Sequence, residues 1–296
     1  MKLTSLLRAG MLAALFILPF SNTWADEMLK PFALVSNTPA DFTAAIDDTK
    51  NKLSTGGFTL VGEYSPYDGA HVFVVTSDEL QAAAASSEFG GYGSVIRVSV
   101  TKNGDAVEVA YSNPQYWAQA FRLKDDQSAA AAKIASALGD STAFGSAAGI
   151  TGKKLNNYHY AAFMPYFDDP DKVGSFSSFD DAMTKINAGL ASNKGGVKKV
   201  FEVKIPGKDE ALIGVALTEG VGSDKSIMEK IDNGSKRHTA HLPYAILVSG
   251  KKAYALSGKF RIALSFPDLS MMGAGSFMEI MDAPPAIKET LSGLSK

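Results

Sequence analysis

The chain has 296 residues, no cysteine, and 29 basic against 31 acidic residues. Without cysteine there is no disulfide, thiolate nucleophile, Cys-ligated zinc or iron–sulfur centre, or CxxCH haem attachment. The near-neutral charge gives no electrostatic reason to expect nucleic acid or an anionic membrane as a partner.

The first 25 residues read as a secretory signal peptide. Lys2 and Arg8 form the basic end, Met11 to Phe20 an uncharged apolar core, and Thr23-Trp24-Ala25 a small-x-small cleavage site before Asp26. That core is about half the roughly 20 residues a membrane span needs. The expectation is an exported, periplasmic protein with no membrane span in the mature chain. Its net charge would be −4, since Lys2 and Arg8 leave with the leader.

Residues 26–125 form a first α+β unit. Phe32 to Ser36 reads as a strand, and Thr38-Pro39 with Asp41 suits a helix start. Phe42, Ile46, Thr49 and Leu53 then lie on one helical face, and Gly56-Gly57 ends the helix. Strands follow at Phe58 to Tyr64 and His71 to Thr76, then a short Ala-rich helix over Asp78 to Ser86. Asn103-Gly104 marks a two-residue hairpin turn. Pairing outward from it sets Val100 opposite Val107, Val98 opposite Val109 and Ile96 opposite Tyr111. One face of that hairpin is apolar and the other mostly polar, as expected of a sheet covered on one side. Residues 126–154 read as a linker, a helix followed by a flexible Gly/Ser-rich stretch.

Residues 155–296 repeat the plan. Phe179, Met183, Ile186 and Leu190 restate the first helical stripe 137 residues later, with Ser178 and Asp181 as a capping box. Strands are expected at Val197 to Ile205 and Ala211 to Thr218, and a helix over Ser223 to Asn233. The closing hairpin is expected to join Ala245 to Ser249 with Phe260 to Phe266, so that Phe266 stands where the first copy has Asn113. Ser276 to Met281 and Pro284 to Leu294 read as short packing helices.

The segments "DFTAAIDDTKNKL", "GGFTLVGE" and "VIRVSVTKNGDAVEVAYSNPQYW" resemble the domain-of-unknown-function 302 family, and "SFDDAMTKINAGL" with "LPYAILVSGKKAYALSGKFRIALSFP" resembles a more diverged copy. The resemblance implies α+β domains with helices on a curved antiparallel sheet, similar to the saddle of the TATA-binding protein. It implies no activity.

No catalytic set emerges. The stretch around Ser146 lacks the nucleophile-elbow spacing, Gly90-Gly91-Tyr92-Gly93 lacks that of a phosphate loop, and Asp168, Asp169 and Asp171 lack a calcium-loop pattern. His238 and His241 sit beside Lys236 and Arg237 and read as solvated loop residues. Together with Met271, Met272, Met278 and Met281 they supply the alternative, a copper-handling accessory. The reading adopted is an exported, non-enzymatic protein without a cofactor, binding a small apolar or amphipathic ligand or a periplasmic protein. Its expected site is Tyr111, Asn113, Tyr116 and Trp117, aromatic walls around a strand-to-helix exit. Aromatics there, and at Tyr158, Tyr160, Phe163, Tyr166 and Phe167, could equally join the two copies.

Overall fold

A computed structural model describes residues 27–295; the expected signal peptide and cleavage site lie outside the described residues. Both striped helices begin at the expected residues. Asp41 Oδ1 accepts from the Ala44 N–H at 2.8 Å, and Ser178 Oγ from the Asp181 N–H at 3.0 Å. The Asp181 carboxylate reaches back one residue further than a capping box does, to the Ser177 N–H and hydroxyl.

The first half runs β1 (Met28–Leu29), β2 (Phe32–Thr38), α1 (Phe42–Thr55), β3 (Thr59–Tyr64), β4 (Ala70–Thr76), α2 (Asp78–Ser86), β5 (Ile96–Asn103), β6 (Ala106–Ser112) and α3 (Pro114–Ala120). The chain then passes through α4 (Ser128–Leu138), β7 (Thr142–Phe144), β8 (Ile150–Thr151) and α5 (Gly152–Asn156). The second half runs β9 (Asp171–Ser175), α6 (Phe179–Ala191), β10 (Val197–Lys204), β11 (Glu210–Leu217), α7 (Asp224–Ile231), β12 (Tyr244–Ser249), β13 (Lys252–Ala255) and α8 (Gly258–Ser265), closing with α9 (Ala283–Gly293).

The fold is α+β with antiparallel sheets. The first sheet has the order β3-β4-β5-β6-β2-β7 and the second β10-β11-β12-β13-β9, so the five strands of the second follow the order of the first five positions of the first. Each sheet presents one face to its own helices. Phe73, Val75, Val98 and Val100 meet Leu53, Ile134 and Leu138, while Ile213, Val215, Ile246 and Val248 meet Met183, Ile186 and Leu291. The alternate residues turn inward. Val72, Val74 and Tyr116 of the first half share one core with Phe201, Leu212, Leu247 and Phe260 of the second. Strand alternation therefore divides each sheet between a private core and a shared one.

Several expectations need correction. The central hairpin pairs Val100 with Val109 and Val98 with Tyr111, two residues from the expected register. Its turn is Gly104-Asp105, with the glycine at φ +61° in the first central position, while Asn103 stays in the strand and donates to Glu108. A two-residue slip keeps every side chain on its expected face. The polar face is not solvated, however: Arg97, Ser99, Thr101, Glu108 and Ser112 are all buried, under the second half. Glu108 accepts from the Arg237 N–H at 2.7 Å, and Glu210 accepts from the Gly91 N–H at 2.8 Å, so each half satisfies a buried carboxylate of the other.

The closing hairpin is β12 with β13, and Phe260 to Phe266 forms most of helix α8 and its C-cap instead. Seven of the eight residues of α8 are buried, on all sides, because it lies between the halves and α9. A helix enclosed all round loses the amphipathic signature of period 3.6, and its Phe260-Arg-Ile-Ala-Leu-Ser-Phe266 sequence imitates strand alternation. Element for element, Ser257 takes the place of Asn113, and Phe260 that of Tyr116. The expected flexible linker is also built in: β7 pairs with β2 as the sixth strand of the first sheet, and β8 pairs with β1.

Candidate functional site

A cleft of about 470 Å³ opens where the two halves meet. Lys30 and Phe144 to Ala147 line one side, and Asn233 to Lys236, His238, Phe266 and Asp268 line the other. Strand β7 positions the first wall, since its pairing sets Phe144 opposite Phe32. Gly145 follows at φ +95°, and a Cβ there would come within 2.7 Å of Pro31 and 3.3 Å of His238 Nε2. Only glycine allows the chain to pass so close to the imidazole.

His238 is the best-held side chain of the cleft. Its ring stacks on Phe266 at 4.6 Å between centroids, and the rings of Phe32 and Phe144 meet it at 5.3 and 5.4 Å. Asp232, buried at the end of α7, accepts from the His238 backbone N–H at 2.9 Å and lies 3.0 Å from Nδ1. A carboxylate only accepts, so the Nδ1 contact takes a ring hydrogen, and Nε2 has no hydrogen bond among the described residues. Sequence reading missed this pair although the residues are six apart, because the loop after α7 has no pattern that turns His238 back onto the Asp232 cap. Ser146 lines the same cleft, but its hydroxyl accepts from the Gly149 N–H at 3.1 Å and has no hydrogen bond to His238 among the described residues.

The rim is cationic. Lys30 Nζ donates to the Ala147 carbonyl at 3.2 Å, and Lys236 Nζ stands 5.6 Å from the centre of the Phe144 ring. The Asp268 carboxylate accepts from the Ala147 N–H at 2.6 Å and so joins the halves across the cleft. The result is an aromatic wall with two ammonium groups at its edge and the Asp268 carboxylate engaged by the Ala147 N–H between the walls. Such a surface suits a flat apolar body carrying an anionic end.

The four residues expected from sequence separate into two pairs. Tyr111 and Asn113 line another, smaller recess of about 390 Å³. Tyr111 hydrogen-bonds Ser141 at 3.0 Å, and Asn113 caps α3 by accepting from the Gln115 N–H while donating to the Lys30 carbonyl. Tyr116 and Trp117 face away from it, into the shared core. The Tyr116 hydroxyl donates to the Leu264 carbonyl at 2.8 Å and Trp117 Nε1 to the Pro31 carbonyl at 3.0 Å. Tyr158 likewise donates across to Ala263, at 3.0 Å.

His241 does not join His238, and the expectation that both are solvated fails. It is buried, with Nδ1 2.7 Å from the Ser265 hydroxyl and Nε2 3.2 Å from that of Tyr244. Burial, aided by the nearby Arg261 and Arg97 guanidinium groups, holds its pKa well below the usual imidazole range. Among the described residues no helix is long and apolar enough to cross a membrane. Comparison with protein-family models, with characterised proteins and with solved structures finds no match to this chain.

Proposed function

We propose that this chain is an exported, non-enzymatic binding protein that holds a small amphipathic anion in the cleft between its two halves. The observation that carries the reading is the convergence of Phe144, His238 and Phe266 with Lys30 and Lys236 at a junction both halves build. Export to the periplasm rests on the basic end, apolar core and Ala25 of the N-terminal segment. The two halves are read as tandem copies of one unit, a reading supported by the repeated helical stripe and by the matching strand order of the two sheets. Resemblance to the 302 family and its saddle-like sheet belongs to the same proposal.

Charge and apolar area divide the work. The aromatic wall supplies most of the binding energy, at roughly 25 cal/mol per Å² of apolar surface covered. The two ammonium groups select an anion and orient it. Anilinonaphthalene sulfonate, an aromatic sulfonate whose fluorescence rises when it leaves water, is a direct probe. It should bind the folded protein saturably at one site. Lys30→Glu with Lys236→Glu should weaken it about tenfold or more, equivalent to roughly 1.4 kcal/mol. Tyr111→Phe, in the other recess, should leave it unchanged. Equal binding by the double variant and the parent would remove the cleft from consideration.

A further inference from the structure

Four of the ten methionines crowd the stretch from Met271 to Met281, and the structure holds all four out of the core. Met271, Met272, Met278 and Met281 are 45, 72, 54 and 54% exposed, whereas Met183 and Met228 are buried at 7 and 2%. Methionine adapts readily to irregular core gaps, so four exposed thioethers in one short segment are not explained by packing.

The backbone brings them together. The Phe277 N–H donates to the Ser270 carbonyl at 2.8 Å and the Met278 N–H to the Met271 carbonyl at 3.3 Å, which fastens the two arms of the loop side by side. Gly273 and Gly275, both at positive φ, make the reversal between the arms. The Met271 and Met278 backbones therefore lie side by side. Phe277 to Ile280 form a turn of 3₁₀ helix with Met281 at its end, and side chains three apart eclipse on such a helix. Met281 follows Met278 by three residues at the end of that turn, and Met272 follows Met271 with its backbone held by the Ser270 hydroxyl.

We propose that Met271, Met278 and Met281, with Met272 beside them, form a binding site for a soft monovalent metal ion, cuprous copper or its analogue silver. Thioethers are neutral, polarisable sulfur donors that favour such ions over zinc, calcium or magnesium. The site uses no imidazole: both ring nitrogens of His241 are engaged inside the protein, and His238 lines the cleft, which none of these methionines lines. It is independent of the cleft reading, because none of the three thioethers lines that cleft.

Silver nitrate, titrated into the full mature chain in chloride-free buffer, is the probe. Methionine methyl resonances read by ¹H–¹³C correlation report which thioethers respond. Those of Met271, Met278 and Met281 should shift and saturate at a single equivalent, while Met183 and Met228 stay in place. Affinity should be the same at about pH 5.5 and 7.5, because thioethers do not titrate where imidazoles do. The triple variant Met271→Leu, Met278→Leu, Met281→Leu keeps the apolar volume and should keep the melting temperature while losing the silver response. Absent methyl shifts, a response carried by histidine signals and lost at acid pH, or undiminished binding by the leucine variant would each overturn the proposal.

Discussion

Asp224 is one of the least solvated carboxylates in the protein, and its surroundings set a pH dependence. Burial pushes its pKa up to about 7, against the lowering effect of the Tyr64 hydroxyl, which donates to Oδ2 at 2.9 Å from the other half. The second oxygen, Oδ1, has no hydrogen-bond partner among the described residues. A carboxyl whose folded pKa lies above its unfolded value adds stability below about pH 4, and that contribution is lost as pH rises through about 7. His241 acts in the opposite sense. Its depressed folded pKa gives stability above about pH 6.5 that is lost as pH falls. Asp224→Asn removes the first effect alone and keeps an oxygen for Tyr64. The variant should exceed the parent in stability at pH 8 by roughly 1–4 kcal/mol, with the gain shrinking toward pH 5. Urea unfolding at the two pH values measures this, and an equal difference at both would mean Asp224 does not titrate in this range. None of this was legible in the sequence. Asp224 reads as an ordinary acidic residue at a helix start, and only its placement against Tyr64, 160 residues away, buries it. His238 and Asp232 escaped notice for a different reason: they are only six residues apart, but no motif spacing marks an aspartate at a helix end as the partner of a histidine in the loop after it.

At the scale of elements, local signals were legible wherever the partner of a segment was near in sequence. The two stripes, the Asp41 and Ser178 caps and α2 all follow from spacing and propensity over a few residues. Misreadings occurred where tertiary enclosure supplied the pattern. Helix α8 was read as a strand because it is buried on every side, with Arg261 donating to the Pro243 carbonyl at 2.7 Å rather than facing water. The stretch after α4 was read as flexible because Ala, Gly and Ser carry little periodicity. Pairing Phe32 with Phe144 and Leu29 with Ile150 nevertheless fixes it. The weakly held connection lies later, at 161–166 between the buried Tyr158 and Phe167, where Phe163 has a positive φ and is fully exposed. Brief chymotrypsin treatment should therefore cut beside Phe163 before it cuts between Thr142 and Thr151, because exposed loop tips yield first. Mass analysis of the first fragments decides the order, and initial cleavage at Phe144 would show that β7 is not held.

At the scale of the whole molecule, the two halves behave as partners rather than neighbours. Their sheets share a core, exchange backbone N–H groups for buried glutamates, and place Tyr116 and Tyr158 on carbonyls across the junction. The sequence offers a helical stripe restated at a fixed offset, and the two sheets share one strand order. The closeness of the halves was not legible in sequence, because inward-facing polar residues such as Arg97 and Glu108 read as a solvated face. That closeness creates the cleft and gives it one wall from each half, which is why no single stretch of sequence announced it. The central claim is that the cleft, rather than the strand exit at Tyr111 and Asn113, is where a ligand is held. Native mass spectrometry of protein purified from its own cells tests this most directly. The parent should carry an added mass released by organic solvent, and Lys30→Glu with Lys236→Glu should emerge without it while Tyr111→Phe retains it. Retention by the double glutamate variant, with loss from Tyr111→Phe, would contradict the account and return the site to the strand exit.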